Sequence, residues 1–218
     1  MIELVLKGGL SYLLGSIMGS LAVARLTGGA DIRTLGSGNA GATNALRTQG
    51  RKVGLTVLLI DLTKGWIATG VIAPFAMPSG VLLPASTALA SWSAPVCGIA
   101  VMLGHLYPLW YGFRGGKGVA TLLGTVLGIN ARLLLPMLFT WLAAVIAFGY
   151  VSLASILAAV ALALAIALRS PPGPLLVFAI LAALLILYTH RSNIARMRQG
   201  TESRARRLWL FGTRRGSA

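Results

Sequence analysis

Seven stretches of the chain are apolar and almost free of charge, and this feature excludes most water-soluble folds. They lie near 4–24, 53–73, 86–104, 118–131, 133–149, 152–168 and 174–190. A helix that crosses a hydrocarbon layer of about 30 Å needs about 20 apolar residues. Only 11% of the 218 residues are charged, against about 25% in a typical soluble domain. We therefore predict an all-α polytopic membrane protein with about seven transmembrane helices, the fourth of them short.

The basic residues between these stretches predict the orientation of the chain. Seven of them lie in the loops at 25–52 and 105–117, and eight more follow from Arg191 onward, whereas the opposite side keeps only Lys7, Arg132 and Arg169. Cytoplasmic loops are enriched in Lys and Arg. We therefore predict that the N-terminus lies outside and the C-terminus in the cytoplasm.

The net charge of +15 favours anionic partners. Because so little of such a chain can face water, we expect no nucleic-acid partner and predict phosphate chemistry at an anionic membrane surface. We expect a single integral membrane domain over 1–218 that includes a basic cytoplasmic tail at 200–218. That tail either lies on anionic lipid through its apolar residues or is a solvated, disordered segment.

The first polar segment, 36–47, is rich in glycine. Gly36, Gly38 and Gly41 match the GxGxxG pattern of dinucleotide-binding proteins. That pattern has meaning only after a β-strand in a βαβ unit, and here it follows a predicted transmembrane helix. What remains is the physical property that bare backbone amides can approach a phosphate closely.

A short helix is predicted within and after this segment. Asn39 suits an N-cap and Gly50 a position just past the helix end. On that helix Thr43, Arg47 and Arg51 would form one polar stripe at i, i+4 and i+8, suited to bidentate phosphate binding. An ordinary solvated loop is the alternative.

The second polar segment, 104–121, places a lysine among glycines just before a predicted helix. It is not a Walker A loop, because Gly118 follows Lys117 where Ser or Thr is required. An ammonium group, amides and a helix N-terminus together favour an anion site around Gly116, Lys117 and Gly118. A flexible re-entrant loop is the alternative, and His105 by itself is more often structural than catalytic.

The third polar segment, 190–202, is predicted to extend the last helix into the cytoplasm. His190, Asn193 and Met197 share one face of that helix at i, i+3 and i+7, so His190 and Asn193 can hydrogen-bond one substrate together. A basic anchor without a role in the site is the alternative.

Two opposite charges fall inside the second apolar stretch. Asp61 and Lys64 lie one helical turn apart, and neither is stable alone in lipid. We expect them to pair, either to fix packing or at the edge of the site.

The three polar segments resemble the signature motifs of one family. GSGNAGATN, GHLYPLWYGFRGGKGVAT and HRSNIARMRQGTE are similar, in order and spacing, to those of the bacterial acyl-phosphate-dependent glycerol-3-phosphate acyltransferases, the PlsY family. The departures are Ala40, where Pro or Val is expected, and Arg114, where Lys is common. Neither removes a functional group.

The resemblance implies an enzyme of the bacterial inner membrane with its active site facing the cytoplasm. Such an enzyme transfers a fatty acyl group from acyl phosphate to the sn-1 hydroxyl of glycerol 3-phosphate, giving lysophosphatidic acid and inorganic phosphate. It needs no cofactor and no metal, and membrane lipids and the enzyme that makes acyl phosphate are candidate partners. The HxxxxD motif of commoner acyltransferases is missing here, since Trp110 and Ala195 stand five residues after the two histidines.

The resemblance also suggests roles for individual residues. We assign the donor phosphate to Ser37, the amides around Gly38 and Lys117, and glycerol 3-phosphate to Arg47, His190 and Asn193, supported by Thr43. The expected catalytic residues are Ser37, Lys117, His190 and Asn193, and further binding candidates are Gly38, Asn39, Thr43, Asn44, Arg47, Arg51, His105, Gly116, Gly118 and Ser155. Because the first two motifs contain no carboxylate, the donor phosphate itself is expected to accept the proton of the attacking hydroxyl.

Two other classes of protein are compatible with a basic, glycine-rich membrane chain. A transporter or channel for an anionic solute also uses helix N-termini to bind anions, but it predicts polar groups at the membrane midplane, where only Asp61 and Lys64 are available. A membrane scaffold without chemistry does not need a Gly-Gly-Lys-Gly sequence beside a helix start.

Overall fold

A computed structural model describes residues 1–75, 87–169, 171–205 and 208–210. No strand occurs among these residues, in agreement with the all-α prediction. The helices are α1 Ile2–Gly15, α2 Gly19–Thr27, α3 Ala42–Thr48, α4 Arg51–Ile67, α5 Thr87–Ala90, α6 Ser93–Leu106, α7 Val119–Ile129, α8 Leu134–Phe148, α9 Val151–Ala167, α10 Pro174–Thr189 and α11 Arg191–Arg198. A π-helical turn, Ala68–Ile72, follows α4 directly.

The chain divides into two compact units, Met1–Ala131 and Arg132–Ala218. In the first unit, α1 packs against α6, and α4 packs against α7, α3 and α2. In the second unit, α9 packs against both α8 and α10. The first two polar segments belong to the first unit and the third to the second. The expectation of one domain over 1–218 stays a prediction.

Glycines allow the helices of the first unit to approach closely. A Cβ added to Gly124 of α7 would overlap the carbonyl oxygen of Leu62 in α4, and one added to Gly104 of α6 would overlap that of Tyr12 in α1. Small residues at such contacts are typical of helices packed in membranes, where apolar surface alone drives little association.

The first apolar stretch is not the continuous helix predicted over 4–24. Helix α1 ends at Gly15 and α2 begins at Gly19, with a bend of 45° between them. The ammonium group of Lys64 donates to the carbonyl oxygens of Gly15 at 3.0 Å and Ile17 at 2.8 Å. A buried cation thus satisfies carbonyls that the break leaves without helical partners.

All seven predicted stretches contain helix, but they differ in length. Three helical segments are long and apolar enough to cross a membrane, Arg51–Ile72, Ser93–Tyr111 and Ala131–Phe148, or five if α1 with α2 and α10 with α11 each count as one span. Helices α7 and α9 are shorter. Residues 76–86 lie outside the described residues. The number of seven spans and the orientation stay predictions.

The described part of the tail is attached to the second unit. The amide of Ala205 donates to the carbonyl of Gly149 at 2.7 Å, and the indole of Trp209 donates to that of Ala147 at 3.2 Å. The guanidinium of Arg204 lies over the ring of Trp209 at 4.1 Å. This part is therefore not an unattached solvated segment, whereas residues 206–207 and 211–218 lie outside the described residues.

Candidate functional site

Asn44 organises the first polar segment from inside. Its Oδ1 accepts a hydrogen bond from the Ser37 amide at 3.0 Å, and its Nδ2 donates to the carbonyls of Ile32 and Leu35 at 3.2 and 2.9 Å. Gly36 has φ 57°, and an added Cβ there would overlap Oδ1 of Asn44. The buried amide thus shapes the loop that exposes Ser37, and its predicted contact with substrate stays a prediction.

Helix α3 begins later than predicted. Its N-cap is Gly41 rather than Asn39, and the hydroxyl of Ser20 in α2 holds the preceding carbonyl of Ala40 at 2.7 Å. Gly50, with φ 90°, lies just past the C-cap as predicted. The role of Asn39 as a helix cap is therefore wrong, whereas its role in binding stays a prediction.

The predicted stripe of Thr43, Arg47 and Arg51 is only partly present. Thr43 and Arg47 lie on α3, one turn apart and exposed, but α3 ends at Thr48 and Arg51 opens the separate helix α4. Gly50 breaks the helical path between them, since a φ of 90° lies outside the right-handed helical region. A phosphate can still meet Arg47 and Thr43 together on α3.

Two amides that were expected to face a phosphate, and that of the neighbouring Gly115, are bonded to the backbone instead. The amide of Gly38 donates to Leu35 at 3.0 Å, that of Gly115 to Leu106 at 3.1 Å and that of Gly116 to His105 at 3.1 Å. Sequence reasoning could not anticipate these bonds, because they depend on how tightly each loop turns back.

The start of α7 carries amides that are able to donate to an anion. Gly118 is its N-cap with φ 85°, and the helix runs for 11 residues from Val119. The first amides of a helix have no intrahelical acceptor and carry a partial positive charge. Lys117 precedes the cap directly, so a cation and a helix N-terminus meet at one point.

His105 lies in a buried ionic cluster with the pair that the sequence predicted. Lys64 Nζ lies 3.0 Å from Asp61 Oδ1, which confirms the pair, and 2.8 Å from His105 Nδ1. His105 is 2% exposed. Sequence reasoning missed this third member because 41 residues separate it from Lys64. Binding of substrate by His105 stays a prediction.

A clamp formed by Asp31 and Arg33 joins the first two polar segments. Arg33 Nη1 donates to the carbonyl of Tyr111 at 3.0 Å and lies 3.5 Å from that of Arg114. Asp31 pairs with the other side of the guanidinium, at 2.7 Å from Nη2. Their side-chain hydrogen bond lowers the pKa of Asp31 and raises the pKa of Arg33. Neither residue was singled out from the sequence, although both directly precede the first motif.

The third segment is bent rather than continuous with the last helix. Helix α10 ends at Thr189, α11 begins at Arg191, and the two axes differ by 53°. His190 lies at the bend, and its Nδ1 is 2.8 Å from the carbonyl oxygen of Ile186. Because a carbonyl only accepts, Nδ1 carries a proton in this contact.

Glu202 holds the third segment together. Its Oε1 accepts from Asn193 Nδ2 at 2.6 Å and from Ser152 Oγ at 2.9 Å, and its Oε2 lies 2.7 Å from Arg196 Nε. Burial raises the pKa of Glu202, but the hydrogen bonds from Asn193, Ser152 and Arg196 outweigh burial and the pKa is lowered. Sequence reasoning gave Glu202 and Ser152 no role. One signal was available, since Glu202 is the only acidic residue after Asp61.

The remaining candidate of the second unit is Ser155 on α9. Its hydroxyl donates to the carbonyl of Val151 one turn earlier, at 2.9 Å, and the side chain is buried. Met197 lies on the same side of α11 as Asn193, with its sulfur 3.9 Å from Ser152 Oγ. The shared face of Asn193 and Met197 is therefore present, and the role of Ser155 stays a prediction.

Comparison with known proteins gives one consistent family. A family model described as glycerol-3-phosphate acyltransferase matches residues 6–200. Curated glycerol-3-phosphate acyltransferases from Geotalea daltonii and Aquifex aeolicus are 42% and 40% identical over 201 and 194 residues. The alignments cover 92% and 89% of this chain and 96% and 95% of those proteins.

The solved structures that resemble this chain are also of a glycerol 3-phosphate acyltransferase. The crystal structure of PlsY (YgiH), an integral membrane glycerol 3-phosphate acyltransferase, in its glycerol 3-phosphate form superposes with a TM-score of 0.80 at 37% identity. Its lysophosphatidic acid form gives a TM-score of 0.78 at the same identity. Each comparison covers 92% of this chain and 94% of the solved chain.

Proposed function

Because the chain belongs to the glycerol-3-phosphate acyltransferase family, we propose that it transfers a fatty acyl group from acyl phosphate to the sn-1 hydroxyl of glycerol 3-phosphate. The products are lysophosphatidic acid and inorganic phosphate. The observation that supports this choice of donor is the junction of two loops in the first unit. There, the Asp31–Arg33 clamp holds the loop of Ser37 against the segment that leads to Lys117 and the α7 N-terminus.

The donor phosphate binds at this site. Lys117 and the first amides of α7 neutralise its charge, and the exposed hydroxyl of Ser37 donates a further hydrogen bond. The hydroxyl oxygen of glycerol 3-phosphate attacks the acyl carbon, and the bond from that carbon to the phosphate oxygen breaks. Charge that develops on the departing phosphate is stabilised by the same cation and helix N-terminus.

The acceptor is assigned to four side chains by their chemistry. Arg47, with Thr43 one turn away on α3, binds the phosphate of glycerol 3-phosphate. His190 and Asn193 orient the attacking hydroxyl by hydrogen bonds. The donor phosphate takes the hydroxyl proton and leaves as inorganic phosphate, so positioning supplies much of the rate.

We place the reaction at the cytoplasmic face of a bacterial inner membrane. The basic loops at 25–52 and 105–117 and the basic residues after 190 support that orientation. The acyl chain lies between helices and is open to lipid, and the enzyme that produces acyl phosphate is the proposed partner.

The test incubates the purified full chain with palmitoyl phosphate and labelled glycerol 3-phosphate and measures labelled lysophosphatidic acid. We expect product with palmitoyl phosphate and none with palmitoyl-CoA. Product from palmitoyl-CoA alone would overturn the proposed donor. Uptake of glycerol 3-phosphate into liposomes without acylation would support transport instead.

Lys117→Ala is the single variant that tests the proposed donor-phosphate site most directly. Loss of a charged phosphate contact costs a few kcal/mol, so we expect kcat to fall at least ~100-fold. Lys52→Ala, which removes an exposed lysine at the start of α4, is the matched control and should keep its rate. Near-normal turnover by folded Lys117→Ala protein would contradict the assignment.

A further inference from the structure

We propose that Asp61 and Lys64 are positioning residues of the acyl transfer, because they fix the imidazole of His105 beneath Gly116. In this way they set the position of the segment that carries Lys117 and caps α7. The inference rests on the proposed function, and it concerns a buried ion pair that takes no part in the steps proposed above.

The ammonium group of Lys64 has a fixed set of acceptors. It donates to the carbonyls of Gly15 and Ile17 at the break between α1 and α2, and lies 2.8 Å from Nδ1 of His105. An ammonium group has three donors and cannot accept. The 2.8 Å contact is therefore a hydrogen bond in the tautomer whose Nδ1 carries the lone pair.

Asp61 supplies the counter-charge. Its Oδ1 lies 3.0 Å from Lys64 Nζ and 3.5 Å from His105 Nδ1, and its side chain is 1% exposed. A lone ammonium group at this depth would be costly, and the carboxylate one turn away offsets that cost. The pair therefore keeps Lys64 charged and in place to hold the imidazole.

The opposite edge of the imidazole carries the glycine-rich segment. A Cβ added to Gly116 would overlap Nε2 of His105 and lie 2.9 Å from its Cε1. The amide of Gly116 also donates to the backbone carbonyl of His105 at 3.1 Å. His105 thus supports Gly116 with both side chain and main chain, one residue before Lys117.

The three elements that meet here explain why the cluster has more than a local effect. Lys64 and Asp61 belong to α4, His105 to the end of α6, and the two carbonyls to the α1–α2 break. An error of about 1 Å in a group that binds substrate can cost up to about 100-fold in rate. Loss of the cluster lets the imidazole turn, and the cation and helix N-terminus that bind the donor then move with Gly116.

The first test is the double variant Asp61→Asn/Lys64→Met, which removes both charges and leaves no unpaired ion. We expect the KM for palmitoyl phosphate to rise about tenfold or more, while the KM for glycerol 3-phosphate changes little. A purely structural pair would reduce the yield of folded enzyme and its thermal stability without changing the KM for the donor. An unchanged donor KM in folded double variant overturns the proposal.

A matched control exists in the same unit. Glu3 and Lys7 form another ion pair at 2.6 Å, in which Lys7 is buried and Glu3 is partly buried, and Lys7 also donates to the carbonyl of Ala73 at 2.8 Å. Glu3→Gln/Lys7→Met should lose stability as the first double variant does but keep both KM values. An equal rise of donor KM in this control would show a general loss of packing and would also overturn the proposal.

A second variant keeps the idea testable if the double variant does not fold. His105→Asn retains an acceptor near Nδ1 for Lys64 but removes the ring atoms that reach Gly116. We expect folded protein with the same rise in donor KM, and wild-type kinetics would overturn the proposal. Inactivity of the wild-type protein in this assay would instead show that the proposed function is wrong.

Discussion

Glu202 shows how a single carboxylate can organise a motif through its hydrogen bonds. It accepts hydrogen bonds from α9 through Ser152 and from α11 through Asn193 and Arg196. A buried carboxylate is favourable only when its oxygens are satisfied. The orientation of Asn193, one of the proposed catalytic residues, therefore depends on the charge of Glu202.

Glu202→Gln should destabilise the protein in a pH-dependent way. The folded pKa of Glu202 lies below its ordinary 4.5, so its stabilisation is complete above about pH 4.5 and disappears as pH falls through the lower folded value. At neutral pH we expect a loss of about 1–3 kcal/mol, because charge-assisted hydrogen bonds become neutral ones.

Thermal unfolding in detergent at a series of pH values measures this effect. The difference in Tm between wild type and Glu202→Gln should be large at neutral pH and shrink as the pH falls below 4.5. Gln199→Ala, an exposed change at the end of α11, serves as the control for a substitution in the same segment. A difference in Tm that is constant over the whole series would contradict the role of the charge.

At the scale of elements, the Asp31–Arg33 clamp connects two loops that contribute different groups to the donor site. The guanidinium is held by a carboxylate on one side and reaches two carbonyls on the other. Arg presents its donors in a rigid planar fork, whereas Lys has a single flexible ammonium group. Charge alone is therefore not sufficient at this position.

We expect Arg33→Lys to raise the KM for palmitoyl phosphate about tenfold, because the fork that reaches Tyr111 and Asp31 together is lost. Arg33→Ala should have at least the same effect. Steady-state kinetics with purified protein measures it, and Arg169→Ala is the control for loss of an arginine outside the proposed site. Wild-type kinetics in both Arg33 variants would show that the two loops keep their positions without the clamp.

At the scale of the whole molecule, the uneven distribution of basic residues predicts the orientation of the chain in the membrane. The loops at 25–52 and 105–117 carry seven basic residues, and the loop that contains Arg132 carries one. Basic loops resist transfer across the membrane. The proposed reaction needs both basic loops on the side where glycerol 3-phosphate is present.

Single cysteines in a Cys97→Ala background test this orientation. Thr34→Cys and Ser203→Cys should react with a membrane-impermeant maleimide only after spheroplasts are permeabilised, whereas Arg132→Cys should react in intact spheroplasts. All three positions are exposed, so a missing reaction reports sidedness rather than burial. Reaction of Thr34→Cys in intact spheroplasts would contradict the orientation, and activity of each variant serves as the control for folding.

The sequence by itself determined the all-helical character, the approximate position of the helices and the family. Apolar stretches and short motifs are properties of consecutive residues, and hydrogen bonding within a helix is local in the chain. Gly50 at the end of α3 and the pairing of Asp61 with Lys64 were predictable for the same reason, since each depends on residues within one or two turns.

Only the tertiary structure decided how these local elements are used. The break at Gly15 depends on Lys64, 49 residues away. Arg33 reaches Tyr111 across 78 residues, and Glu202 reaches Ser152 across 50. The amides of Gly38 and Gly116 were expected to bind phosphate and bond to carbonyls instead. Such contacts arise because a buried polar group must be paired, and which partner it finds depends on how distant segments pack, which a one-dimensional pattern does not specify.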